Sequence, residues 1–109
     1  MYELYKSLRD NLDNLNNAIK QRYKVMTERA KAEYAYRSAL GREMANAKSD
    51  GMAATALYQW AKGIDYIAQL RCERDIYASK EDYLSEYIIY LRAEIRIAEE
   101  QIKAEQKGM

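Results

Sequence analysis

No proline interrupts this chain, and among its four glycines only Gly51 and Gly63 stand where a helix would end. Proline removes a backbone donor and clashes with the preceding turn, so a chain without it, rich in Ala, Glu, Lys, Arg, Leu and Gln, has little to stop a helix from growing. The strongest turn signal is Lys48-Ser49-Asp50-Gly51, where Gly51 can take positive φ at a helix C-terminus and Asp50 can bond its own backbone. Lys62-Gly63 makes a second break. The spacing predicts a helix over about 2–48, a short helix over about 54–62 with Thr55 or Asp50 as candidate cap, and a last helix over about 64–106. With 109 residues, the chain reads as one helical domain, 1–109.

In the first helix Leu8, Leu12, Leu15, Ile19, Tyr23, Met26, Ala30 and Tyr34 recur close to 3.67 residues per turn, which predicts an apolar stripe that stays on one face of a nearly straight helix. In the last helix Tyr77, Glu81, Leu84, Ile88, Leu91, Ile95, Ala98 and Ile102 follow a heptad rhythm with one acidic interruption. The expected fold is therefore all-α: a long antiparallel helical hairpin with a short intervening helix, residue i lying opposite a residue near 112 − i. Over 83–91 apolar and aromatic groups surround more than one face, and a two-helix hairpin buries little surface. An oligomeric helical bundle is therefore expected, with Tyr83, Leu84, Tyr87, Ile88, Ile89, Tyr90 and Leu91 at the contact between copies.

Composition excludes several classes. The 18 basic and 17 acidic residues leave a net charge of +1, unlike a DNA mimic or a wholly basic coat protein. One Cys and no His give no disulfide framework and no usual metal ligand set, so no metal or cofactor is expected. The opening Met1-Tyr-Glu-Leu-Tyr lacks a basic segment followed by an apolar run, and no stretch has the length of a membrane span, so the expected location is the cytoplasm. Without His, a Gly-rich phosphate loop or a paired nucleophile and base, the chain does not read as an enzyme. Cys72 reads as a small semi-buried thiol and Trp60 as a core plug.

What remains is a binding chemistry. Polar residues interrupt the stripes near the middle of the hairpin. Arg37 continues the first stripe beside Glu33 and Tyr34, and Arg71, Arg74 and Asp75 stand where Leu or Ile would continue the last one. Three arginines against two carboxylates leave a positive charge over. With Tyr34, Tyr36 or Tyr77 as a stacking ring, such a cluster suits a phosphate or carboxylate. It equally suits an internal ion network that fixes helix register. Residues 20–50 hold eight basic side chains against four acidic, while 81–109 hold four against seven. The basic segment opens a nucleic-acid reading, although mutual neutralisation across the hairpin accounts for it as well.

The block Lys48-Ser-Asp-Gly-Met-Ala-Ala-Thr55, with Ala61-Lys62-Gly63, Ile67-Ala68-Gln69-Leu70-Arg71, Arg74-Asp75-Ile76 and Ala93-Glu94-Ile95-Arg96, resembles small helical accessory proteins of temperate phages of Gram-positive bacteria. The resemblance covers about residues 30–102 and implies a phage accessory protein without supplying a mechanism; an anti-defence role is the reading adopted for it. Together with the cluster it points to a non-enzymatic oligomer that sequesters a host factor, either a nucleotide-type small molecule or a protein. Its ligand-binding residues would be Glu33, Tyr34, Arg37, Arg71, Arg74, Asp75 and Tyr77. A nucleic-acid accessory factor and a coiled-coil scaffold are the alternatives.

Overall fold

A computed structural model describes residues 2–108, which form three α-helices and no strand: α1 (Tyr2–Ser49), α2 (Ala54–Lys62) and α3 (Asp65–Lys107). The first break works as its residues dictate. Gly51 adopts φ 97°, its N–H donates to the Lys48 carbonyl at 3.1 Å, and the Met52 N–H reaches back to the Ala47 carbonyl at 3.0 Å. These two bonds satisfy carbonyls that the end of α1 would otherwise leave open. The second break differs from expectation in detail. Gly63 keeps a right-handed φ of −85°, and α2 begins after Ala53 with no side-chain cap, so neither Thr55 nor Asp50 serves as one.

By their contacts the residues divide into two compact units. The residues to Lys24 with those from Glu81 onward form the terminal unit, and Val25–Lys80 forms the central unit. In the terminal unit Ala18, Ile88 and Leu91 make a buried cluster with Leu15 and Tyr87 packed against it. Leu84, Ile95, Ala98 and Ile102 are buried too. The heptad stripe of α3 is thus the core-facing seam of that unit. Its acidic interruption is answered from α1, where Arg22 donates to Ser85 at 2.9 Å and lies 3.8 Å from Glu81.

The stripe expected on α1 is not the one that packs. Leu12, Ile19, Tyr23, Met26 and Tyr34 are exposed, and the shielded residues are Leu4, Leu8, Asn11, Leu15, Ala18, Arg22 and Val25. These repeat by alternating steps of four and three. A helix facing a seven-residue seam has to present the same repeat, and a stripe at 3.67 residues per turn drifts off it. Ala18 also leaves room for the branched side chains of α3 to approach the backbone.

The same seam corrects the expected subunit contact. Leu84, Ile88 and Leu91 belong to the core within the chain and are not open to a second copy. Tyr87 is half-buried against that core, and of the seven expected contact residues only Tyr83, Ile89 and Tyr90 are well exposed. The rings of Tyr83, Tyr87 and Tyr90 stack in sequence at 6.3 and 6.4 Å. The register shifts as well: the rule 112 − i sets residue 94 opposite Ala18, whereas Ile88 and Leu91 pack there. Small residues facing large ones set the layers, not the midpoint of the connection.

In the central unit Tyr36, Ala39 and Ile67 form the buried cluster, with Leu40, Ile64 and Leu70 against it. Leu57 and Ala61 are the buried residues of α2, while Trp60 is largely exposed and is not a core plug. Two glycine substitutions separate these backbone effects. Gly51→Ala forces a side chain into positive φ and should cost about 1–2 kcal/mol. Gly41→Ala lies mid-helix with open space at the Cβ and should gain about 0.5–1 kcal/mol. Thermal melts of the two variants should therefore move in opposite directions.

Candidate functional site

Four cationic side chains converge on one cleft of the central unit. It is about 330 Å³ in volume and lined by Glu33, Tyr36, Arg37, Leu40, Tyr58, Lys62, Arg71 and Arg74. The long helices supply most of this lining, and α2 contributes Tyr58 and Lys62 at a spacing of four, so both point the same way.

Glu33 is the hub of the polar side. Its Oε1 accepts from Arg37 Nε at 2.5 Å, and its Oε2 lies 3.4 Å from Arg74 Nε. The hydrogen bond from Arg37, with the charge of Arg74 added, holds the Glu33 carboxyl below its ordinary pKa against a smaller opposing effect of desolvation. Arg74 is fixed from three directions. Two of its N–H groups donate to one Asp75 oxygen at 3.0 Å, Glu33 flanks it, and its guanidinium lies 4.6 Å over the Tyr36 ring. Desolvation works against the Arg74 charge, but the hydrogen bond to Asp75 and the charges of Asp75 and Glu33 outweigh it and leave the pKa raised.

The remaining cations are held differently. Lys62 lies over the Tyr58 ring at 4.9 Å. Arg71 is half-buried in the lining and has no hydrogen-bond or ion-pair partner among the described residues. Arg37 uses its Nε on Glu33, and its exposed side chain keeps the two terminal nitrogens for other acceptors. The cluster therefore contains both arrangements that its residue types allowed. Glu33, Arg74, Asp75 and Tyr36 form an internal network, and Arg37, Arg71 and Lys62 face the cleft with donors to offer.

Of the seven residues expected to bind, Glu33, Arg37, Arg71 and Arg74 line the cleft and Asp75 supports Arg74. Tyr34 does not belong: it is 76% exposed, while Tyr36, at 5%, is the ring under Arg74. Tyr77 lies outside the lining, with Lys80 over its ring at 5.4 Å. Of the three candidate rings only Tyr36 lines the cleft, and Leu40, Tyr58 and Lys62 were not singled out from the sequence. Tyr36 follows once the heptad face of α1 is known, and Tyr58 and Lys62 follow only from where α2 packs. Cys72 is exposed rather than semi-buried, and no group of metal-ligating side chains occurs among the described residues. Nearby, the Tyr66 hydroxyl donates to Glu43, a bond that, with desolvation, raises the phenol pKa.

Fold and cleft define the class as an all-helical protein with a cationic, aromatic-walled cleft, and no helix among the described residues is long and apolar enough to cross a membrane. Set against protein-family models, curated proteins and solved structures, the chain matches none of them.

Acid should loosen the network in a defined window. A carboxyl whose pKa is lowered by folding contributes stability above its unfolded value, about 4.3, and loses it as pH falls through the lower folded value. Melting temperature followed down from about pH 6 should begin to decline near the unfolded value and fall through the window below it, and Glu33→Gln should flatten the decline.

Proposed function

We propose that this protein is a non-enzymatic binder of an anionic, planar small molecule of nucleotide type, which it holds in the cleft of the central unit and sequesters as a homo-oligomer. The observation that carries the reading is the charge of the lining. Arg37, Lys62, Arg71 and Arg74 face one carboxylate, Glu33, and Asp75 behind Arg74 still leaves two positive charges uncompensated. An anion with two negative charges on one group restores the balance. Guanidinium groups suit it because their planar forks grip phosphate or carboxylate through paired hydrogen bonds.

The aromatic walls specify the rest of the ligand. Tyr58 presents an exposed ring beside Lys62 and Leu40, a surface on which a base can stack while its phosphate reaches Arg71 and Arg37. The cleft volume lies at the lower end of the usual range for small-molecule sites, a size for one mononucleotide rather than a polymer. The resemblance to phage accessory proteins supplies a setting, the host cytoplasm, in which removing a host signal molecule would serve the phage.

Calorimetric titration with adenosine 5′-monophosphate, inorganic phosphate and adenosine tests the reading. The nucleotide should bind, phosphate more weakly, and adenosine weakest of all. Arg71→Ala should lower nucleotide affinity by at least about tenfold with an unchanged melting temperature, since Arg71 has no partner to lose. Arg74→Ala should lower the melting temperature because it leaves Glu33 and Asp75 without their shared cation. Absence of binding to either phosphate compound at low salt would remove the proposal.

A further inference from the structure

The residues displaced from the α1 seam form a surface of their own. Tyr5, Leu12 and Ile19 recur at intervals of seven and are 43%, 47% and 45% exposed. The Tyr5 hydroxyl accepts from Gln106 at 3.1 Å. The same seven-residue series continues in the central unit as Met26, Glu33, Leu40 and Ala47. There Ala47 is buried, and Leu40 and Ala47 share pocket walls with Tyr58, Trp60 and Lys62 of α2. In the central unit, then, a third helix lies along this series. Among the described residues the terminal unit comprises parts of α1 and α3 only, and no third helix lies along its share of the series.

We infer that a second copy of this chain covers it, the two α1 helices packing antiparallel about a two-fold axis at Asn16. A second copy fits because the flanking charges are self-complementary in that arrangement. With the axis at Asn16, Leu12 of each copy packs on Ile19 of the other. On the solvent side of the stripe, Asp13 of each copy then meets Lys20 of the other. Asp13, Asn16 and Lys20 are all exposed. One pairing thus matches apolar with apolar twice, opposite charges twice, and an amide with its own copy, as an isologous interface requires. A parallel pairing, with its two-fold along the helices, would leave Asp13 and Lys20 of one copy on the opposite flank of the contact from those of the other and give them no such partners.

The inference rests on the oligomer of the proposed function and not on its ligand. It relocates the contact from the 83–91 segment to the outer face of α1.

Sedimentation velocity over a concentration series tests it, on the wild type, Asp13→Lys, Lys20→Asp and the double exchange. The wild type should sediment as a dimer. Each single exchange puts two like-charged pairs across the axis and should weaken the dimer by about tenfold, and the double exchange should restore it, with helical circular dichroism unchanged throughout. A wild type that stays monomeric at tens of micromolar overturns the inference and leaves the face to a different protein. A dimer indifferent to the single exchanges, or one the double exchange fails to rescue, overturns the antiparallel geometry. Arg71→Ala lies outside the terminal unit and should leave the dimer intact, so failure of the ligand reading and failure of this one register separately.

Discussion

Everything in the described chain depends on one seam, the seven-residue repeat of α3 that runs through Leu84, Ile88, Leu91, Ile95, Ala98 and Ile102. Burial of branched aliphatic side chains is the dominant favourable contribution available to so thin a fold, at about 1.5–3 kcal/mol for each side chain fully hidden. A partner helix shares in it only by presenting the same repeat. That requirement selects Leu15, Ala18 and Arg22 on α1 and rejects the more hydrophobic Leu12, Ile19 and Tyr23. Geometry outweighs hydrophobicity here because a stripe that drifts around the helix cannot stay in contact over several turns.

In the central unit a second cluster decides where charge gathers. Tyr36 and Ala39 carry the central cluster with Ile67, and Tyr36 supplies the ring on which Arg74 rests. Arg74 is then neutralised by Asp75 and Glu33, which holds one arginine still and leaves the neighbouring Arg71 with its donors unassigned. A purely structural network would be expected to end in balanced charge, because an uncompensated ion beside a half-buried wall is costly. The surplus beside Tyr58 is the feature that the proposed function explains and a structural network alone does not.

Much of this was legible in the residues. The absence of proline, the turn at Lys48–Gly51 and the break at Gly63 delimit three helices, and the heptad of α3 reads directly from spacing. The face of α1 was not legible, because Leu8 and Leu15 belong to both candidate stripes and the more apolar one is the wrong one. Tyr34 lies on that more apolar stripe and Tyr36 does not, so the stripe favours the wrong ring. Glu33, Arg37, Arg71 and Arg74 stood out as polar interruptions, and their convergence survived the shift in register because arginine side chains are long. Tyr58 and Lys62 could not be found, since a nine-residue helix between two loops fixes no direction until its buried Leu57 and Ala61 are placed.

The pairing of the two long helices in the terminal unit is the claim on which the rest stands, and a disulfide trap measures it. In a Cys72→Ser background, cysteines at Ala18 and Ile88 should close an intrachain bond on mild oxidation, read as a mass loss of two hydrogens and faster migration without reductant. Cysteines at Ile19 and Ile88 should not. Closure of the Ile19 pair with the Ala18 pair left open would place the more apolar stripe of α1 in the seam, and would contradict the account.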